Sequence, residues 1–552
     1  MDPIGILSSR IGIDAGHVGN IVIRGPEGLV PHGSTCLMHD ESHSWQLPLR
    51  QWGNHWGSWW WIADTPADAP AGLYQVRCTL GDRVLAGDPL RIANEVLWES
   101  TWRHCAIGMP QRRQRFAKVK PGWFDAGMLW QEVNSHACFV LGLCDVLEFR
   151  ADQLGDHLGD QRAALIEQII AGNTYLAACQ DAATAHGHQA GGLCHDILDH
   201  QAVSIPGDMA KAAMAWAKAA RLIGGTHAGE WRVRAAAALN WFHQAKPLQN
   251  FGFSPLAHGV TADYRVPATW RVEDLSMRLW AAGELAREDR AWLDHAAALA
   301  REMRLRQIPQ RAAEDGLWGH HWTFGDRQGP TQKAWTHCFY DGMGQDLGAV
   351  FPFWMVPLLE LQKAFPEHPD APRWLEAVHD LAYGFLLPAC RRNPFSTCPM
   401  GVYPGEGLLD FSGFWHGGNA IYGYTAAQCL AFAECFNDAE FRTIAEANLQ
   451  WIAGCNAGIT NESLLACHAW SMDVPPDTAL PASMICGIGD RTAGTWLATR
   501  GSICNGFGTG DQFRFDVPPA HATDAPTTLS DEDWITHAGA WLSGISRLKL
   551  VH

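Results

Sequence analysis

The sequence predicts a multidomain protein, with a small all-β sandwich of immunoglobulin-like type over residues 1–95 and a large all-α domain over residues 96–552. Three observations carry this. Up to about residue 95, short apolar runs alternate with Gly, Pro, Asp and Asn clusters. Beyond Glu99 the apolar spacing changes to three and four residues, the period of amphipathic helices. The segments joining those helices are long and aromatic, far beyond the usual handful of connecting residues.

In the first part, Ile11 to Ile13, Asn20 to Ile23, Ser58 to Ile62 and Tyr74 to Leu80 read as strands, separated by turn clusters such as Gly25-Pro26-Glu27-Gly28. Regular short strands with such turns imply a sandwich. In the second part, helices are expected over Gln161 to Thr184, Gly207 to Ile223, Gly229 to Gln244, Glu273 to Arg287, Ala291 to Met303, Ala371 to Leu387, Ala420 to Phe436, Ala439 to Ile452 and Trp534 to Leu548. In the fourth, Leu275, Leu279 and Trp280 share one face, and Glu273, Arg278 and Glu284 lie away from it. Ala-rich helices with few strand-like runs over some 450 residues suggest six helical hairpins closed into a ring, an (α/α)6 barrel. The loops Gly316 to Gly329, Asn393 to Gly418 and Ala457 to Ala522 are expected to build a cleft on one end of it.

Composition narrows the function. With 58 Asp and Glu against 41 Lys and Arg, and no dense basic run, nucleic-acid and anionic-membrane partners are excluded as first readings, and the substrate is expected to be neutral or weakly charged. No apolar stretch is long enough to span a bilayer. The segment Met1 to Arg10 has no charged n-region leading into a long apolar stretch. This predicts a cytoplasmic protein as the chain stands, and a periplasmic or secreted one if a leader has been removed. The 16 cysteines are scattered among apolar helical positions and form no CxxC pair, so a disulfide framework and a structural zinc are not expected. Twenty-seven tryptophans beside 8 tyrosines suit stacking on sugar rings, although most of them serve core packing in a chain of this size.

Three segments carry a resemblance. Gly122-Trp123-Phe124-Asp125-Ala126-Gly127 resembles the GWYDAGD signature of the family 9 glycoside hydrolases. Trp451-Ile452-Ala453-Gly454-Cys455-Asn456-Ala457-Gly458 is similar to that family's LLGxNPxG stretch, with Ala457 in place of proline. Asp531-Glu532-Asp533-Trp534-Ile535-Thr536-His537 resembles its C-terminal NEVAINYN element. The three occur in the family's order, behind a β-sandwich like that of many members, and together span nearly the whole chain.

The resemblance implies cleavage of a glycosidic bond in an oligo- or polysaccharide with inversion. Glu532 would be the general acid and Asp125 the base or water-holder, across a gap of roughly 6.5–9.5 Å. Read without the resemblance, either residue also suits a capping carboxylate at a helix start. The family's second Asp, its principal base, is replaced by Met128, which can neither accept a proton nor hold a water. A substitute base could come from Glu132, which helical geometry would set about 10 Å along the axis from Asp125, or from Asp326, Asp341 or Asp410 on other loops. Trp123, Trp322, Trp415, His416 and Asn419 are candidates for substrate binding, with Gly417-Gly418 permitting close backbone approach. The adjacent His320 and His321 are poor metal ligands because neighbouring positions seldom converge on one ion. No cofactor and no metal are expected, and the chain is read as a monomer or small homo-oligomer. Two other readings stay open: a polysaccharide lyase or uronate epimerase on the same toroid, and a non-catalytic glycan-binding relative.

Overall fold

The computed structural model describes residues 4–126, 131–154, 160–197, 199–203, 206–245, 270–322, 325, 332–333, 337–338, 348–349, 355–403, 407–411, 418–457, 483–489, 499–508 and 528–549. Its first part is β-rich. Strands β1 (Gly5–Leu7), β3 (Asn20–Gly25), β7 (Ser58–Asp64) and β6 (Arg50–His55) form one sheet in the order β1-β3-β7-β6. Strands β2 (Ile13–Asp14), β10 (Leu90–Ala93), β8 (Gly72–Leu80), β4 (Thr35–His39) and β5 (Ser44–Pro48) form a second in that order, and β9 (Arg83–Ala86) also pairs with β8. Strand β8 shows the cause of layering most plainly. Tyr74, Val76, Cys78 and Leu80 point inward and are buried, while the residues between them are exposed, the period-two pattern of a half-buried strand. Their core joins Ile21, Ile23, Trp61 and Met38.

The hairpin joining β6 and β7 reaches out of this region. His55 pairs with Ser58, and the two residues between them, Trp56 and Gly57, both have positive φ (50° and 71°), the requirement of a tight hairpin turn that matches strand twist. Glycine meets that requirement without strain, but tryptophan does not. Trp56 is held there by what it touches on the helical side: its indole N–H donates to Asp410 Oδ2 at 3.0 Å, and its ring lies against Phe395, Phe411 and Trp451.

From Val96 onward the chain is helical. Helices α1 (Val96–Arg103) and α2 (Met109–Phe116) are joined by a π turn over His104–Gly108. Then follow α3 (Val133–Phe149), α4 (Asp160–Ala185), α5 (Pro206–Ile223), α6 (Gly225–Gln244), α7 (Val272–Ala286), α8 (Ala291–Arg306), α9 (Val356–Ala364), α10 (Ala371–Leu381), α11 (Leu387–Cys390), α12 (Asn419–Phe436), α13 (Ala439–Ile452) and α14 (Ile535–Arg547). Successive helices pack as hairpins, α3 on α4, α5 on α6, α7 on α8, α9 on α10 and α12 on α13. The first members also pack on one another, α3 on α5, α5 on α7, α7 on α9, α12 on α14 and α14 on α3. The backbone N–H of Met355, just before α9, donates to Gln428 of α12 at 3.0 Å.

The two kinds of helix differ in burial. Helix α5 is buried at every residue from Pro206 to Ala220, with Ala and Met allowing close approach on all sides, whereas α6 and α8 keep one exposed face. The expected polar face of α7 is accordingly not solvated: Glu273, Arg278 and Glu284 are buried with the rest of that helix. Their charge is met by neighbours, Glu284 by Arg221 at 2.6 Å, while Arg278 lies over the Phe242 ring at 4.2 Å. A helix enclosed by others must bury whatever polar residues it carries; Glu284 and Arg278 meet these neighbours, whereas one carboxylate oxygen of Glu273 has no hydrogen-bond partner among the described residues and burial pushes its pKa up to about 7.

Among the cysteines whose side chains are described, each is a free thiol, and all but Cys435 are buried. No helix among them is long and apolar enough to cross a membrane.

Candidate active site

Asp125 lies outside any helix, in the irregular segment between α2 and α3. The segment is fixed by its backbone. Buried Arg113 of α2 donates to the carbonyls of Phe124 and Asp125 at 3.3 and 3.0 Å and to Ser502 Oγ at 3.0 Å. The N–H of Ile535, first residue of α14, donates to the carbonyl of Asp125 at 2.7 Å. The carboxyl is fully buried, and Oδ2 accepts the backbone N–H of Glu132 at 3.0 Å. Burial pushes the Asp125 carboxyl well above the usual carboxylate range, and the charge of Glu132 and then of Asp196 adds to this. The N–H of Glu132 and the nearby Ser135 act the other way but do not cancel it.

Glu132 immediately precedes α3 and is only partly buried. Its carboxylate accepts from Asn134 Nδ2 at 3.1 Å and stands 3.5 Å from His195 Nε2. The other ring nitrogen of His195 bonds Asp208 Oδ2 at 2.7 Å, on the first turn of α5. Burial alone would lower the pKa of His195, but with a carboxylate facing each nitrogen it is raised well above its ordinary value, which favours the protonated ring. Asp196, which ends strand β11 (Cys194–Asp196) opposite β12 (Asp199–Val203), accepts the N–H of Gln131 at 2.9 Å. Further round, Arg271 forks onto Asp274 with two contacts of 3.1 Å at the start of α7. The starts of α3, α5 and α7 thus carry the acidic residues Glu132, Asp208 and Asp274, the sign of charge that helix starts favour.

Glu532 lies on the strand that leads into α14. Strands β13 (Cys504–Gly508) and β14 (Thr528–Asp533) pair antiparallel, Cys504 opposite Asp533 and Gly506 opposite Ser530, with an irregularity between them. The backbone of Glu532 is placed in β14; its side chain lies outside the described residues. The chain after it is anchored at three points: Trp534 N–H to the Ile503 carbonyl at 3.2 Å, Trp534 Nε1 to Ser135 Oγ at 2.7 Å, and Ile535 N–H to Asp125 as above. His537 shares a hydrogen bond of 2.8 Å with Asn505 and is kept neutral by burial, its pKa lowered to about 3.

Several expected residues are placed differently. The premise that Glu132 and Asp125 share one helix, about 10 Å apart, fails because Asp125 lies in no helix and α3 begins only at Val133. The Glu132 backbone N–H instead donates to the Asp125 carboxyl. Trp123 has no face open to a sugar. It is fully buried, its ring stacked on His136 and edge-on to Phe139, with Nε1 on Gln168 at 2.9 Å. Asn419 is also buried and ties α12 to β13, donating to the Cys504 carbonyl at 2.8 Å. Asp410 accepts from Trp56 and lies 3.3 Å from His55, at the contact between the β-rich and helical parts. Trp322 is half-buried, its N–H on the Arg306 carbonyl at 3.0 Å. His320 and His321 are buried, with pKa values lowered to about 4 and about 3. Met128, Trp415, His416, Asp326 and Asp341 lie outside the described residues.

Sequence reasoning missed Arg113, His195, Asp196 and Asp208. Only Asp208 left a local signal, an acid two residues after the proline that opens α5. The others are joined to Asp125 and Glu132 solely by tertiary contact. Among the described residues no group of three or more His, Cys, Asp and Glu is arranged to hold a metal ion.

The sequence matches no protein-family model and none of the curated proteins. The structure is similar to that of a Bacteroides ovatus GH9 protein, with 14% identity, a TM-score of 0.59, and 99% of this chain and 98% of that one covered. It is more distantly similar to the cellulase Cel9M of C. cellulolyticum (12% identity, TM-score 0.43, 77% of this chain and 86% of that one). Similarity to a cellobiose 2-epimerase from Bacillus thermoamylovorans B4167 is of the same order (10%, TM-score 0.44, 80% and 96%). At these identities the first likeness establishes a shared fold.

Proposed function

We propose that this chain is a glycan-acting enzyme, an inverting glycoside hydrolase, with an immunoglobulin-like sandwich over residues 1–95 and an (α/α)6 barrel over residues 96–552. The reading is carried by one observation: the 2.7 Å hydrogen bond from Ile535 to the Asp125 carbonyl, which ties the Asp125 segment to the helix that follows Glu532. The fold shared along the whole chain with the Bacteroides ovatus GH9 protein supports it.

In this reading Glu532 protonates the departing glycosidic oxygen, and a carboxylate across the sugar takes a proton from the attacking water. Asp125 and Glu132 form the pair that supplies this base. Burial, and after it the charge of Glu132, raises the Asp125 pKa well above the usual carboxylate range, which makes Asp125 the member of the pair that holds a proton more readily than an ordinary carboxylate. Glu132, partly exposed and 3.5 Å from His195 Nε2, is the member that takes the proton. Asp125, fully buried, positions that base through the Glu132 N–H that its Oδ2 accepts. The substrate is an oligo- or polysaccharide.

The test is product analysis by NMR with a panel of oligosaccharides. Glu532→Gln is expected to lower turnover by about 10²–10⁴-fold with binding retained, and wild type to release the inverted anomer. Retained turnover in Glu532→Gln sinks the assignment. The lyase or epimerase reading draws on His195, a protonated group beside Glu132 that could steady a uronate carboxylate; unsaturated products absorbing in the ultraviolet would select the lyase.

A further inference from the structure

A groove of about 490 Å³ runs between the β-rich part and the helices, walled by β3, β6 and β7 on one side and by α13 and the segment 391–396 that follows α11 on the other. Its volume lies within the range of about 300–1,000 Å³ typical of small-molecule sites. Three features of its lining bear on what it takes. Trp52 is only partly buried, so part of an indole surface is available, the group that stacks on the C–H face of a sugar ring. The charges in the wall balance, Arg50 being paired with Asp64 at 2.8 Å and Glu446 with Arg442 at 3.0 Å, which favours a neutral ligand over an ionic one. Gln450 is 91% buried: Nε2 is spent on the Gly12 carbonyl at 2.9 Å, while Oε1 has no hydrogen-bond partner among the described residues. A buried carbonyl oxygen left unpaired is costly, and a hydroxyl is the donor that relieves it.

We infer that this groove binds a neutral linear oligosaccharide, stacked on Trp52 and hydrogen-bonded by Gln450 and the Arg50–Asp64 pair, as a site separate from the helix starts that carry Asp125 and Glu132. The site stands on its own lining and does not depend on the hydrolase reading. If that reading also holds, the groove retains a long chain that the helical end processes.

Calorimetric titration of the full chain with cellopentaose, xylopentaose and maltopentaose tests it, using wild type, Trp52→Ala and Thr443→Trp. Thr443 is exposed on α13 at the groove's edge, so the larger side chain fills the groove without entering a core. At least one sugar is expected to bind wild type, to bind both variants at least tenfold more weakly, and to bind Asp125→Asn as wild type. Turnover of a short soluble substrate, where present, is expected to be unchanged in the two groove variants. Failure of all three sugars to bind wild type, or unaltered affinity and stoichiometry in both groove variants, overturns the inference. So does binding that is lost in Asp125→Asn alone, since it then belongs to the helical end.

Discussion

Single buried charges show most directly what this interior tolerates. Lys211 sits on α5 with its side chain buried and its ammonium without a hydrogen-bond partner among the described residues; burial lowers its pKa, against the pull of Cys138 and Asp208. Removing such a group removes its desolvation cost, so Lys211→Met, which keeps the stem, is expected to stabilise the fold by about 1–3 kcal/mol in urea unfolding at pH 7. Asp125 allows a test of sign. Its folded pKa is raised above the unfolded value, so the stability tied to its proton is fully present at acid pH and is lost as pH rises through the folded value. Asparagine keeps the acceptor for the Glu132 N–H and carries no charge. The melting temperature of Asp125→Asn relative to wild type is therefore expected to increase between pH 4.5 and pH 8; a difference constant with pH would show that Asp125 is ionised throughout.

At the scale of the element, the helices that meet at the site approach through glycine. A Cβ on Gly142 of α3 would stand 2.3 Å from the carbonyl oxygen of Gly539 on α14, and one on Gly423 of α12 2.6 Å from the Ala540 backbone. Alanine is intrinsically the better helix former by about 1 kcal/mol, so the sign of Gly142→Ala reports whether the crossing is tight. The backbone cannot yield as a flexible side chain would. Gly142→Ala is expected to destabilise by about 1–3 kcal/mol and to lower turnover as well, because α14 carries the Ile535 contact to Asp125; a rise in urea midpoint would refute the close crossing. The junction of α12 and α13 illustrates local sequence at work: Asn437 takes the left-handed conformation that ends one helix, and Asp438 accepts the Glu440 N–H at 3.0 Å to begin the next.

The whole molecule is tuned against acid. His136 and His320 are lowered to about 4, and His321 and His537 to about 3, in each case first by burial. Each is neutral when folded and becomes protonated more readily when unfolded, so stability is present above about pH 6.5 and is lost as pH falls through that value toward 3. Asp14 and Glu273, raised by burial to about 6 and about 7, work in the opposite sense, as do Asp125 and His195, but the four are outnumbered once His295, lowered by burial to about 4, and His104, also lowered, are added to the other histidines. A melting temperature several degrees lower at pH 4.5 than at pH 7 is expected in calorimetry, and a flat profile would contradict it. The two parts of the chain also share one apolar continuum: Trp56 and Trp60 of the β-rich part belong to the core formed by the helices.

What the sequence determined by itself is what local pattern can encode. Alternation in Gly72–Leu80 and three-to-four spacing in stretches such as Ala439–Ile452 fix strand and helix, because the side-chain period alone decides which face can be buried. The segments holding Asp125 and Glu532 stand out in the sequence for a similar reason, as short contiguous motifs. Tertiary structure decided the rest. Helix α3, apolar nearly all round, has no amphipathic face to announce it, and the polar residues of α7 read as solvent-facing until neighbouring helices cover them. The same holds at the site. His195 acquires its charge from Asp208 and Glu132, and Asp125 its raised pKa from burial and from Glu132. Trp123 loses its sugar-facing role to a core contact with Gln168. Burial and charge proximity are properties of positions in space, and no local pattern specifies which distant residue will occupy them.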